Sequence, residues 1–381
     1  MNKHFDVHVC MVSDQAIPNF VPVLDRDFRP KKVILLVTQR MQAKADVLEK
    51  VIKKSCGIHD VRQVSLSGEY EMKSIEQEVL DVLAEEDKGS VALNLTGGTK
   101  LMAIAAFELF QSLGFESFYF TAASNEVIIL GGQGEKFTLQ PPKIKIEDYL
   151  ALYGHPAIGR VCREYQFNKP ELWKELIRAR NNMGEEVGSL NYAIATSGKD
   201  LEIPLPHGKN PQNMDVLIGW FEDAGLVKRK KDKLVFPSLD EKKYVGGGWF
   251  EDYVFSVARR LPGVQDCAIN IQIENQDKNI NQNNELDIVI MKGNGLYILE
   301  CKTANFASKD GKKEADHALY KLESLKKLGG LKTELAFVSF RDVDRTVRDR
   351  AKGAKIELIE RKDLGGLETL LGKWSDGNGS K

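Results

Sequence analysis

The stretch Asn284-Glu285-Leu286-Asp287-Ile288-Val289-Ile290, followed across Gly293-Asn294-Gly295 by Leu296-Tyr297-Ile298-Leu299-Glu300-Cys301-Lys302, decides how the rest of the chain is read. The apolar, β-branched runs predict two strands, and Gly-Asn-Gly supplies turn residues that tolerate positive φ. Side chains alternate across a strand, so Glu300 and Lys302 share one face and Cys301 takes the other. Asp287, at the open end of the preceding strand, reaches the same spot. Two carboxylates beside an ammonium make a hard-oxygen pocket suited to magnesium or manganese. The plainer alternative is a surface hairpin with a Glu–Lys pair, because Asp followed by Glu-x-Lys is common by chance. Context decides between them. Upstream, residues 249–260 predict a helix with Phe250, Val254 and Val257 on its buried face and Glu251 at the position of an upstream acid.

Downstream come Lys309, Lys312 and Lys313, then a helix with Leu319, Leu322, Leu325 and Leu328. A buried strand over 335–340, a charged helix over 343–351 and a closing strand over 356–359 follow, and residues 375–380 read as a disordered tail. The resulting order α-β-β-β-α-β, with its Asp and Glu-x-Lys, resembles the PD-(D/E)xK nuclease core. That resemblance implies catalytic roles for Glu251, Asp287, Glu300 and Lys302. Asp287, Glu300 and the Cys301 carbonyl would hold Mn2+ or Mg2+. Glu251 would be a second-metal or outer-sphere group, and Lys302 would position water or stabilise developing charge.

The first 142 residues have another rhythm. Apolar strands at 7–12, 32–37, 61–66, 91–95, 118–120 and 127–130 alternate with helices at 43–54, 74–83 and 101–113. The 43–54 helix is expected to bury Ala43, Val47 and Val51, and the 74–83 helix Ile75, Val79, Leu80 and Leu83. Such alternation predicts a doubly wound α/β sheet, whose ligands sit at the carboxyl ends of strands. Three ends are polar: Ser13-Asp14-Gln15, Thr38-Gln39-Arg40 and Thr96-Gly97-Gly98-Thr99-Lys100. The last offers close backbone approach, a helix N-terminus and a lysine, which suits a phosphate, although it lacks Walker A spacing. A tight packing turn is the competing reading. This half resembles CARF domains, Rossmann-like sensors that dimerise and bind cyclic oligoadenylates at these strand ends.

Residues 143–240 read as a connecting, winged-helix-like module, with helices over 149–162, 170–183 and 214–226 and a basic hairpin at 228–233. Gly246-Gly247-Gly248 marks a hinge or a tight entry into the last domain, 241–381. The chain of 381 residues has room for two or three domains, and a net charge of -1 gives it no global field toward nucleic acid or membrane. Five scattered cysteines and six histidines form no zinc spacing and suit a reduced, cytoplasmic protein; no segment predicts a membrane span.

Taken together, the halves resemble CRISPR-ancillary nucleases of the Can and Card type. That resemblance implies a homodimer activated by cyclic tetra-adenylate in type III antiviral defence, cutting single-stranded DNA or RNA and supercoiled duplex. A ligand-responsive transcription regulator, with the middle module on duplex DNA and a non-catalytic last domain, is the alternative. A sensor that degrades its own ligand is a further one.

Overall fold

The computed structural model describes residues 3–68, 70–131, 134–140, 143–274, 283–304 and 309–377. It divides into two compact units: residues up to Pro156 with Leu328–Lys332, and Ala157–Lys327 with Thr333 onward.

The first unit runs β1 (Val7–Met11), α1 (Ile17–Leu24), β2 (Lys32–Thr38), α2 (Gln42–Val51), β3 (Asp60–Leu66), α3 (Met72–Leu83), β4 (Val91–Asn94), α4 (Lys100–Leu113), β5 (Glu116–Thr121), β6 (Glu126–Leu130), β7 (Lys136–Thr138) and α5 (Ile146–Leu152). Its sheet has the order β3-β2-β1-β4-β5-β6-β7, parallel through β5 and antiparallel beyond. The order reverses direction between β1 and β4, so their carboxyl ends open a crevice there. Val7, Val9, Ile34, Leu36, Leu93 and residues of α3 and α4 form the core on one face.

The amphipathic faces differ from expectation in two helices. In α2 the buried residues are Ala45, Leu48 and Val51, so Ala43 and Val47 do not form the inner stripe. In α3 Val82 is buried and Leu80 is exposed. Short amphipathic helices tolerate more than one apolar stripe, and the sheet selects the one it can cover.

The second unit runs β8 (Ala157–Ile158), α6 (Pro170–Arg178), α7 (Gly184–Thr196), β9 (Glu202–Pro204), α8 (Pro211–Asp223), β10 (Lys228–Lys230), β11 (Lys233–Val235), α9 (Leu239–Lys243), α10 (Trp249–Ala258), β12 (Val264–Ile273), β13 (Asn284–Lys292), β14 (Gly295–Lys302), α11 (Lys309–Leu325), β15 (Thr333–Ser339), α12 (Arg345–Gly353), β16 (Glu357–Ile359) and α13 (Leu367–Ser375). Its main sheet is ordered β16-β15-β14-β13-β12-β8, which places β14 near the centre. β13 and β14 form the expected hairpin, and α11 provides the crossover that lets β15 pair parallel to β14. Ser375, expected in the tail, instead ends α13 and is buried.

Three helices, α6 to α8, and the small sheet β10-β11-β9 give the winged-helix-like segment. It shares one core with the main sheet: Trp173, Leu190, Ile194 and Phe221 belong to the same buried cluster as Trp249, Phe250, Leu299 and Phe340. The expected helix over 149–162 ends at Leu152, because Gly154 takes φ +84 and the chain re-enters as the edge strand β8. Helix α7, made largely of small and polar residues, carries no signal strong enough to have been expected.

Candidate active site and ligand cleft

In the second unit the floor of the site is the β13–β14 pair. Asp287 sits within β13 and is almost wholly buried, and its Oδ2 accepts from Cys301 N at 2.8 Å. The partner strand thus holds the carboxylate through a backbone donor. Glu300 and Lys302 project from one face of β14, and Lys302 Nζ lies 2.7 Å from Glu300 Oε1 and 3.4 Å from Asp287 Oδ2. Glu251, in the first turn of α10, lines the same cleft as Cys301 and Lys302. All four residues expected from the hairpin and helix are therefore brought together.

One neighbour had no signal in the sequence. Lys321 on α11 reaches Glu300 Oε2 at 2.7 Å. Each oxygen of Glu300 is thus held by a different lysine. Lys321 lies 21 positions beyond Glu300, and only the crossover geometry of α11 brings it back over β14. The basic residues Lys309, Lys312 and Lys313 belong to the first turns of α11; their side chains, and the tail beyond 377, lie outside the described residues.

Electrostatics separate these groups. Burial, then the nearby Asp287 carboxylate, push Glu251 well above the usual carboxylate range, against the opposing charge of Lys302. Burial also raises Asp287, with Lys302 pulling the other way. Burial works against the charge of Lys302, but Asp287, Glu300 and Glu251 together hold its ammonium above its ordinary value. The raised acids thus report burial first, with the neighbouring carboxylates adding to it and Lys302 opposing it.

This donor set suits a hard divalent cation in chemical type: carboxylate oxygens in a pocket short of positive charge. Among the described residues, no three Asp, Glu, His or Cys groups stand at ion-binding distance. Each oxygen of Glu300 already faces a lysine, so a bound cation would compete with those ammonium groups for its lone pairs.

Above this floor opens a cleft of about 860 Å3. Glu251, Lys302 and Thr303 line it together with Ser189, Asn191 and Tyr192 of α7. Asn191, oriented so that its oxygen accepts from Thr303 Oγ1 (2.7 Å) and its nitrogen donates to Val187 O (3.1 Å) and Gly246 O (3.3 Å), ties α7 to the end of β14. Gly247 is required at the turn before α10, since it has φ +148 and its missing Cβ would sit 3.1 Å from Thr303 Oγ1. The residues Gly246 to Gly248 are thus a packed entry into α10. Arg341, just after β15, lies nearly buried against α7 and pairs with Glu185; a Cβ at position 188 would fall 2.6 Å from its Nη1.

The first unit has its own cleft, of about 490 Å3, at the carboxyl ends of the strands. Ser13, Asp14, Gln15, Thr38, Arg40, Thr96, Gly98 and Thr99 line it, as the three polar strand ends suggest. Gln39, Gly97 and Lys100 do not. Gly97 is a packing glycine, since a Cβ there would lie 2.1 Å from Met11 O. Lys100 is exposed in the first turn of α4, where Thr99 caps the helix by accepting from Met102 N. Tyr119, Thr121 and Ala122 at the end of β5 complete the cleft. They were missed because their place depends on β5 lying beside β4. Thr38 Oγ1 is buried with no hydrogen-bond partner among the described residues, and Asp14 is held below the usual carboxylate range by its hydrogen bond from Lys44.

The two units correspond to a CARF domain followed by an endonuclease domain. Residues 7–149 match the family model described as the Card1 CARF domain, and residues 239–377 match that of the Card1-like endonuclease domain. The chain belongs to the CARF-linked nucleases of the Can and Card type. Protein VC1899 from Vibrio cholerae has the same fold, with a TM-score of 0.85 and 24% identity over 98% of this chain and 99% of that one. Can2 from Sulfobacillus thermosulfidooxidans, solved in complex with cyclic tetra-adenylate, is 26% identical with a TM-score of 0.77, covering 97% of each chain. A type III CRISPR defence DNA nuclease activated by cyclic oligoadenylate shares the fold at a TM-score of 0.53 and 18% identity, over 88% of this chain and 45% of that one. No curated protein matches the chain. No helix among the described residues is long and apolar enough to cross a membrane.

Proposed function

We propose that this protein is a divalent-metal-dependent endonuclease of type III CRISPR antiviral defence, acting as a homodimer switched on by cyclic tetra-adenylate. Its substrates on this reading are single-stranded DNA and RNA, with supercoiled duplex as a further one. The observation that carries the reading is the convergence of Glu251, Asp287, Glu300 and Lys302 at one cleft. The likeness to Can2 over nearly the full length supports the choice of activator.

Asp287, Glu300 and the Cys301 carbonyl would hold Mn2+ or Mg2+, which when bound neutralises phosphate charge and acidifies a water. Lys302, kept protonated by its three acidic neighbours, serves as a fixed positive charge beside the scissile phosphate and not as a base. Glu251 keeps its proton to higher pH than a free carboxyl does, which makes it the cleft group best placed to exchange one.

Control would begin at the first cleft, where Ser13, Gln15, Thr38, Thr96 and Thr99 offer hydroxyls and an amide to a nucleotide ring. The segment Leu328–Lys332 links α11 to β15 in the chain and packs within the first unit. Tyr149 Oη donates to Gly329 O at 2.8 Å, and Lys332 Nζ to Ala122 O at 3.2 Å. Leu331 N approaches Gln15 Oε1 at 3.5 Å. Gln15 and Ala122 line the ligand cleft, while α11 and β15 flank Glu300 through Lys321 and the β14 pairing. A ligand activates only by binding the active arrangement of the dimer more tightly than the inactive one.

The test is cleavage of end-labelled single-stranded DNA and RNA with Mn2+, with and without cyclic tetra-adenylate, beside Glu300→Ala. Cutting that requires both ligand and Glu300 supports the reading. Ligand binding without cutting at any metal would return the last domain to a non-catalytic role.

A further inference from the structure

Helix α7 buries Val187, Leu190 and Ile194 in the core of the second unit, which leaves its other face to the active-site cleft. On that face stands Tyr192, 72% exposed in a chain that buries most of its aromatic residues. It lines the same cleft as Glu251 and Lys302, together with His207 and Lys243. An exposed aromatic ring in water leaves apolar area uncovered, and beside lysine and arginine the partner that covers it best is a flat base on a charged strand.

Two features show that the wall is placed and not incidental. Asn191, the neighbour of Tyr192, is fixed to Thr303 directly after Lys302 and to Gly246 just before α10. Arg341 lies against the α7 backbone and shares its charge with the half-exposed Glu185. The cleft that Glu251 and Lys302 line therefore also carries Arg341, Lys243 and the aromatic ring of Tyr192.

Resting on the nuclease reading above, we propose that Tyr192 is a substrate-positioning residue: its ring stacks on a base of the cleaved strand. A duplex keeps its bases stacked on one another, so the same ring favours unpaired nucleotides at that position.

The test uses the full-length protein carrying Glu300→Ala, so that binding is read without cleavage. Its affinity for a fluorescein-labelled single-stranded oligonucleotide is compared with those of the double variants adding Tyr192→Ala or Tyr192→Phe. The expected result is about tenfold weaker binding for Tyr192→Ala and little change for Tyr192→Phe. Along a series of strands with a single abasic nucleotide moved stepwise, one position should abolish the difference between the protein that keeps Tyr192 and the Tyr192→Ala variant. Equal binding by all three proteins would overturn the proposal, as would a loss by Tyr192→Phe equal to that of Tyr192→Ala. In the active background, unchanged kcat/KM for Tyr192→Ala would remove the stacking role and leave the nuclease reading intact. Weaker binding by Tyr192→Ala in a protein that never cuts would keep the stacking role and remove the nuclease reading.

Discussion

The cleft of the first unit is lined mainly by the hydroxyls and amide of Ser13, Gln15, Thr38, Thr96 and Thr99, with Asp14 and Arg40 as its charged groups. Beneath the cleft of the second unit, Asp287 and Glu300 are buried in a sheet and share Lys302 with Glu251. On the proposed function, the first arrangement would select its ligand by shape and hydrogen bonding, with little dependence on pH. The second holds unbalanced charge in a low-dielectric place, where a proton or a cation relieves it. On the proposed function, the first cleft recognises and the second reacts.

The largest effect should come from removing a charge in the second cleft. Glu300→Ala is expected to reduce cleavage at least about a hundredfold while leaving cyclic tetra-adenylate affinity unchanged, measured on the same preparation. Loss of both would break the division between the clefts. Gly97→Ala makes the reverse test: its Cβ would strike Met11 O, so ligand binding and ligand-dependent cleavage should both fall while Mn2+ affinity stays.

A pH series sharpens the comparison. Asp287 and Glu251 have pKa values raised by folding, so they retain protons where free carboxylates have lost them. Those protons must leave for a cation to bind. Mn2+ affinity and cleavage should therefore rise with pH above the ordinary carboxylate range, and ligand affinity should stay nearly flat. The same shifts mean that ionising these acids costs folding stability, so Asp287→Asn should raise the midpoint of thermal unfolding near neutral pH.

Smaller effects follow at Lys321 and His8. Lys321→Met frees one oxygen of Glu300 and should tighten Mn2+ binding several-fold, about 1 kcal/mol, by calorimetry. His8 is buried in the first unit between Phe28 and Phe118, with burial lowering it to about 3. The unfolded chain takes up a proton there that the fold refuses. Stability should fall by roughly 1.4 kcal/mol per pH unit between the two pKa values as acid is added. His8→Phe should flatten that dependence in acid denaturation curves.

The sequence made some of this legible and hid the rest for identifiable reasons. Strand alternation and turn chemistry are local, so the β13–β14 hairpin and the shared face of Glu300 and Lys302 could be read directly. The polar ends of β1, β2 and β4 were equally visible, because their apolar runs stop abruptly. Tyr119 and Ala122 were not, since their role depends on which strand lies next to β4. Lys321 was hidden by the length of the α11 crossover, and Tyr192 by a helix whose small residues give no periodic stripe. The glycines at 97 and 98 read as phosphate contacts; in the fold Gly97 instead makes room for the carbonyl of Met11.

On the proposed function, the buried acids of the second unit form a cation site that competes with protons. Isothermal titration of Mn2+ into the full-length protein and into Glu300→Ala, each in two buffers of different ionisation enthalpy, tests this directly. One binding event with proton release is expected in the wild type, and its loss in the variant. Equal binding by both proteins, or binding with no proton released, would overturn the assignment.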